Sequence, residues 1–164
     1  MREFGRSVQG LAAMPLVELA KSGVRGIILD LDNTLVPAHC EEVPAATHQF
    51  LAEAYCLGLS AVILSNGSVG RSIRLGGLLG IPAIGAARKP FGLGYRKALE
   101  ILGMHPEQVV AIGDQFLTDA VGAWNQRIHI VLVDPLSPRE ALLVRAGRPV
   151  DRALRRMLVR HISR

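Results

Sequence analysis

The chain has 164 residues, 49% of them apolar, and a formal net charge of +5. That length suits a single domain able to bury a real core. No uninterrupted apolar run approaches the roughly 20 residues needed to span a bilayer. Residues 1–10 carry Glu3 and no apolar stretch ahead of a small-residue cleavage site, so no secretory leader is expected. Cys40 and Cys56, the only cysteines, form no C-x-x-C pair and read as reduced thiols of a cytoplasmic protein. The charge is unevenly spread. Residues 1–138 hold 11 Lys+Arg against 12 Asp+Glu, a balance of −1, whereas residues 139–164 hold eight Arg against Glu140 and Asp151, a balance of +6. The basicity belongs to the tail.

In chain order, Gly26–Leu31 is the first predicted strand, a continuous apolar run ending in carboxylates. Pro44 opens a helix that runs through Phe50, Leu51, Ala54 and Tyr55 and ends at Gly58. Ser60–Ser65 is a second strand, followed by a helix over Val69–Leu79 that Gly76 and Gly77 weaken, then a weaker strand over Ile81–Ile84. A helix over Leu93–Leu102 stops at Gly103, and Val109–Ile112 is again strand. A helix from Thr118 to about Gln126 leads into the strand Ile128–Val133. Strands that are apolar throughout, rather than alternating, are covered on both faces. The βα alternation therefore predicts an α/β fold, a parallel sheet with helices on both sides. Such sheets collect ligands at the carboxyl ends of their strands.

Those ends carry chemistry. The first strand ends in Asp30-Leu31-Asp32-Asn33-Thr34, the second in Ser65-Asn66-Gly67, and the fourth in Gly113-Asp114 with Asp119 beyond. Arg88-Lys89-Pro90 precedes the third long helix. Four of six aspartates thus lie at two strand ends, where like charges are costly to bury unless a cation or proton offsets them. Carboxylates of this kind suit Mg²⁺. Lys89 and the backbone N–H groups near Asn66 suit a phosphate. No H-E-x-x-H, Cys/His set or G-x-x-x-x-G-K-[ST] points to zinc or to a nucleotide loop.

In this order the motifs resemble the haloacid dehalogenase (HAD) superfamily of phosphatases, and its YqeG-type subfamily IIIA in particular. The likeness runs from about Val24 to Pro135. Asp30-x-Asp32-x-Thr34 is similar to the first motif, Ser65 to the second, Lys89 to the third and Gly113-Asp114-x-x-x-x-Asp119 to the fourth. Further subfamily phrases are Ser65-Asn66 with Arg71, Leu79-Gly-Ile-Pro82, Ala87-Arg-Lys-Pro90 and Gly113-Asp-Gln115. The resemblance implies a HAD-like Rossmannoid domain and an Mg²⁺-dependent phosphomonoester hydrolase. Asp30 would attack phosphorus, and Asp32 would serve as general acid and then base. Asp30 and Asp114 would hold Mg²⁺ through carboxylates and Asp32 through its backbone carbonyl. Ser65, Asn66 and Lys89 would hold the phosphoryl oxygens, with Asp119 orienting Lys89 or a metal-bound water and Thr34 bracing the loop behind Asp30. The chain departs from the subfamily at Ala123-Trp124-Asn125, where Gly-Asn-Arg is usual, and at Arg127, where glycine is usual. Trp124 itself reads as core or interface filler.

Only residues 31–64 separate Asp30 from Ser65, and only residues 66–88 separate Ser65 from Lys89. Each gap fits one helix and its strand and leaves no room for a cap domain. The whole chain, 1–164, is thus expected to be one domain with its site open to a bulky substrate or closed by a second copy in a homo-oligomer. Over 149–162, Val150, Ala153, Leu154, Met157, Leu158 and Ile162 share one helical face and arginines the other. Such a helix either packs on the sheet or lies on an anionic membrane surface, on the inner face. A known subfamily substrate, phosphatidylglycerophosphate, fits the second reading, and a soluble phosphometabolite fits the first. A nucleic-acid-binding module using the arginine tail is a third reading. The tail's lack of interleaved aromatics argues against it, and no nucleic acid is expected as partner.

Overall fold

The computed structural model describes residues 6–137. Its strands are β1 (Arg6–Val8), β2 (Gly26–Leu29), β3 (Ser60–Leu64), β4 (Ala83–Ile84), β5 (Val109–Gly113) and β6 (His129–Val133). The helices are α1 (Leu16–Lys21), α2 (Ala45–Cys56), α3 (Val69–Leu79), α4 (Gly92–Leu102) and α5 (Val121–Asn125). All strand pairs are parallel, in the order β1-β6-β5-β2-β3-β4. The parallel sheet with helices, expected from the alternating pattern, is what forms.

Two apolar layers explain why these strands carry unbroken apolar runs. Ile27, Leu29, Ile63, Val110, Ile112 and Val131 face one side, packed with Phe50 and Ala54 of α2 and Leu75 of α3. Ile28, Val62, Leu64, Ala111, Ile130 and Leu132 face the other, packed with Tyr95 and Ala98 of α4 and Ala123 of α5. Successive strand residues point to opposite faces, so a run buried throughout is a strand sandwiched between helices. Each fully buried Leu or Ile contributes about 1.5–3 kcal/mol.

Several expectations need correction. β1 and α1 precede the region of resemblance and escaped the sequence reading, because three-residue and six-residue elements carry too short a pattern to register. β2 stops at Leu29, so Asp30 and Leu31 lie past its end. The weak strand at 81–84 shrinks to Ala83–Ile84. The helix expected over 118–126 is a π-helical turn, Phe116–Ala120, that continues into α5. The amphipathic segment at 149–162 lies outside the described residues.

Every α-helix ends in the same way. At Gly23, Gly58, Gly80 and Gly103 the chain takes positive φ. The next residue's N–H then bonds back across the last turn, as in Leu59 N–H to Ala54 O at 2.9 Å and Met104 N–H to Leu99 O at 3.2 Å. This is the Schellman ending, for which glycine avoids a Cβ penalty. α5 closes identically, with Ile128 N–H to Ala123 O and Arg127 N–H to Trp124 O both at 2.9 Å, yet its left-handed residue is Arg127, at φ 59°. The glycine usual at this position in the subfamily is therefore a conformational preference. Left-handed backbone costs a non-glycine residue about 1–2 kcal/mol, and glycine's extra freedom in the unfolded chain returns about half of that. Arg127→Gly should stabilise the protein by about 0.5–1 kcal/mol, a rise of about 1–4 °C in melting temperature. An unchanged or lowered midpoint in thermal unfolding would show that the arginine side chain offsets its backbone strain.

Candidate active site

The register of the sheet brings the carboxyl ends of β2, β3 and β5 level, because Leu29 pairs with Ile63 on one side and with Ile112 on the other. Asp30 is tied to β5 through its N–H, 2.9 Å from Ile112 O. The chain then turns sharply. Leu35 and Val36 both donate to Leu31 O, and Asn33, at φ 65°, donates to Val36 O at 2.7 Å. Thr34 is buried beside this turn. Its Oγ1 has no hydrogen-bond partner among the described residues, so its contact with the loop is one of packing.

Lys89 is delivered by a loop that Asn66 clips in place. Asn66 Oδ1 accepts from Lys89 N–H at 2.6 Å, and Asn66 Nδ2 donates to Lys89 O at 3.1 Å. Ala87 N–H also reaches Ser65 O and Ala86 N–H reaches Gly67 O. Ala86 and Arg88, flanking Ala87, sit at φ 49° and 55°. That strain persists only because the surrounding bonds over-determine the loop. Asn66 was expected at the phosphate. Its side chain is engaged with the Lys89 backbone, and the expectation of backbone N–H groups near Asn66 is compatible with that.

The ammonium of Lys89 lies between two carboxylates, 2.5 Å from Asp30 Oδ1 and 2.6 Å from Asp119 Oδ1. All three side chains are 10% exposed or less. Asp119 reaches this place through the π-helical turn, where its N–H bonds Gln115 O and its Oδ2 accepts from Gln115 N–H at 3.1 Å. A π-turn inside a helix is commonly a functional feature. Gly113 makes room for it, since a Cβ there would stand 2.5 Å from Asp119 Cγ. From α4, Tyr95 donates its hydroxyl to Asp119 O at 3.0 Å.

The electrostatics follow from burial. Burial lifts the Asp30 carboxyl from 3.8 to about 6, outweighing the adjacent ammonium. Burial alone would lower Lys89, but Asp119 and then Asp30 prevail and hold it charged well above its ordinary range. Burial, with Asp119 next, keeps Tyr95 a neutral donor. Asp114, also buried, completes the group: one oxygen each from Asp30, Asp114 and Asp119 lie within 4.8 Å of one another. Three carboxylates and one ammonium thus meet here. An all-oxygen donor set of this kind fits a hard divalent cation.

Ser65 and Asp32 line the other side. Ser65 Oγ accepts from Gly67 N–H at 2.9 Å. A Cβ on Gly67 would stand 3.1 Å from Ser65 Oγ and 3.4 Å from Asp32 Oδ2, so both side chains border one small space that a larger residue would fill. The carboxylate of Asp32 does not join the other three. It is held by Arg71 of α3, whose Nη1 lies 2.8 Å from Oδ1 and 3.1 Å from Oδ2. Arg71 belongs to a subfamily phrase, but the resemblance implies no role for it. The available signal was an arginine in the first turn of the helix that follows Ser65-Asn66. Trp124 was expected in a core or interface, and at 58% exposed it is no part of the core.

A surface hollow of about 450 Å³ lies at the opposite end of β3 between Tyr55, Ser60 and Pro82, and none of these carboxylates lines it. Its size is no guide to the chemistry, which needs the charged groups at the strand ends.

The chain has recognisable relatives in sequence and in fold. The sequence profile of the HAD-hydrolase-like family matches residues 86–155. The Bacillus subtilis protein named "Probable phosphatase YqeG" is 34% identical over 137 residues, covering 84% of this chain and 80% of that protein. A Listeria monocytogenes protein of uncharacterised function shares the fold with a TM-score of 0.57 at 20% identity, over 74% of this chain and 98% of its own. So does a HAD phosphatase from Thermococcus onnurineus, with a TM-score of 0.51 at 24% identity over 57% and 47%. The chain is a phosphatase of the HAD superfamily and belongs with the YqeG-type proteins.

Proposed function

We propose that the protein hydrolyses phosphomonoesters through a covalent phosphoryl-Asp30 intermediate with Mg²⁺ as cofactor. The observation that carries this reading is the buried ammonium of Lys89 beside Asp30, in a group of three converging carboxylates at the ends of β2 and β5. A carboxylate oxygen of Asp30 forms a bond to phosphorus as the bond to the alcohol oxygen breaks. Asp32 gives its proton to that departing oxygen, then takes one from the water that attacks phosphorus and frees Asp30. Lys89, Ser65 Oγ and the backbone N–H of Asn66 hold the phosphoryl oxygens as their charge redistributes. Asp119, bonded to the ammonium at 2.6 Å, orients Lys89. The carboxylates of Asp30 and Asp114 and the backbone carbonyl of Asp32 would hold Mg²⁺. When bound, the ion would offset carboxylate charge and polarise the phosphoryl group.

For the substrate we favour a membrane-resident phosphomonoester of the phosphatidylglycerophosphate type. Among the described residues, one helix occupies each of the intervals 31–64 and 66–88, so nothing inserted there roofs the site against a lipid headgroup. The arginines of residues 149–164, about 1 kcal/mol each beside anionic headgroups, would bring the enzyme to that surface. Peripheral placement on the inner membrane face follows from the same reading. A soluble phosphometabolite, with the site covered by a second copy, is the competing reading. Phosphate release should be compared for soluble phosphomonoesters and for phosphatidylglycerophosphate in mixed micelles, with Mg²⁺, with chelator, and with Asp30→Asn as control. The lipid should be the best substrate, with activity lost reversibly in chelator. Equal or higher kcat/KM on a soluble ester would move the assignment to that ester.

The raised carboxyl of Asp30 gives the metal dependence a sign. In the unfolded chain the group titrates near 3.8, and in the metal-free fold near 6. Its contribution to stability is therefore present below about pH 4 and lost as pH rises through about 6. Cation binding needs the ionised form and offsets that loss. The rise in melting temperature produced by Mg²⁺ should be large at pH 7.5 and shrink steeply below pH 6. A rise of the same size at pH 5 would place the ion elsewhere.

A further inference from the structure

Arg71 does more than fill an ion pair. Its Nη1 spans both oxygens of Asp32, at 2.8 and 3.1 Å, and its Nη2 donates to Cys40 O at 2.8 Å. The guanidinium is rigid and planar, so one side chain grips both ends of the segment 32–40 at a fixed spacing. It is 15% exposed, whereas Asp32 is 30% exposed. The gripped segment needs such help. Asn33 and His39 are both in left-handed backbone, at φ 65° and 56°, and the carboxylate of Asp32 has one further hold, a 3.3 Å bond from His39 N–H. A second arginine of α3, Arg74, bonds Glu41 just beyond, at 2.5 and 3.0 Å, but both partners are more than half exposed, so that pair contributes little. Without Arg71 the carboxylate of Asp32 would be free to rotate away from the space it shares with Ser65 and Gly67.

We infer that Arg71 is the positioning residue for Asp32: it locks the plane of that carboxylate and the loop behind it, so that Asp32 is aimed at the oxygen whose proton moves. The inference rests on the acid–base reading of Asp32. Arg71 would act through Asp32 and not on the phosphoryl group itself, which Lys89 and Ser65 serve. The two half-reactions then respond differently. With an aryl ester such as p-nitrophenyl phosphate the leaving oxygen departs without a proton, so the bond from Asp30 to phosphorus forms and nitrophenolate leaves. Attack by water still needs a base in place.

The test is rapid-mixing kinetics on p-nitrophenyl phosphate with Mg²⁺, comparing wild type, Arg71→Met, Arg71→Lys and Asp32→Asn. Asp32→Asn should give a burst of nitrophenolate and then stall. Arg71→Met should show the same signature, with burst rate and KM near wild type and steady-state turnover down about 10–100-fold, since general acid–base catalysis is worth 10²–10⁴. Arg71→Lys, which keeps the charge and one bond but loses the fork, should recover part of that loss and secures the test if the Met variant folds poorly. Burst and turnover falling together would make Arg71 a phosphate ligand and overturn the inference, as would turnover unchanged in both variants. If Asp32→Asn itself turns over normally, it is the acid–base reading of Asp32 that falls.

Discussion

The site depends on one buried cation. Lys89 is an ammonium in a place where burial disfavours charge, and it stays charged because Asp30 and Asp119 lie within 2.6 Å. Removing Lys89 would leave two buried carboxylates without their cation, a loss of about 3–5 kcal/mol. The local oddities of the chain serve this triad. Asn66 clips the backbone of Lys89, the π-turn at Phe116–Ala120 swings Asp119 inward, and Gly113 clears space for it. Local rules of regular structure are broken where the function needs them broken.

The sheet supplies what the loops cannot, a fixed distance between groups far apart in sequence. Residues 30, 89 and 119 meet, with Ser65 at the neighbouring strand end, because β2 lies parallel and in register between β3 and β5. A parallel sheet directs all its carboxyl ends to one edge, and side chains leaving that edge converge. Asp32, further along the turn from β2, escapes this control and is held by α3 through Arg71. The chemistry is thereby divided between two supports. The sheet positions the carboxylates and the ammonium, and a helix positions the fourth aspartate.

How much of this was legible in the sequence follows from the range of each interaction. Asp30, Ser65 and Asp114 could be placed at strand ends, and Lys89 and Asp119 in the loops beyond, because apolar runs and glycine punctuation mark those ends locally. Arg127 was flagged as a departure, and the left-handed ending of α5 supplies the reason. What sequence could not disclose were contacts whose partners are distant. Asn66 binding the backbone of Lys89 spans 23 residues, and Arg71 binding Asp32 spans 39, and no local pattern encodes either. The π-turn was read as plain helix because its apolar spacing passes for one. Trp124 reads as core or interface filler on residue type, and its exposed position removes the core half of that reading.

The central claim, that Asp30 becomes phosphorylated, is open to direct observation. Wild type and Asp32→Asn would be mixed with p-nitrophenyl phosphate and Mg²⁺, quenched in acid within a turnover, digested, and the peptides weighed and fragmented. The account predicts a phosphoryl group on Asp30, more abundant in Asp32→Asn, absent in chelator and absent in Asp30→Asn. Nitrophenolate released in the same quench with no phosphoryl group on Asp30 in either protein would contradict it.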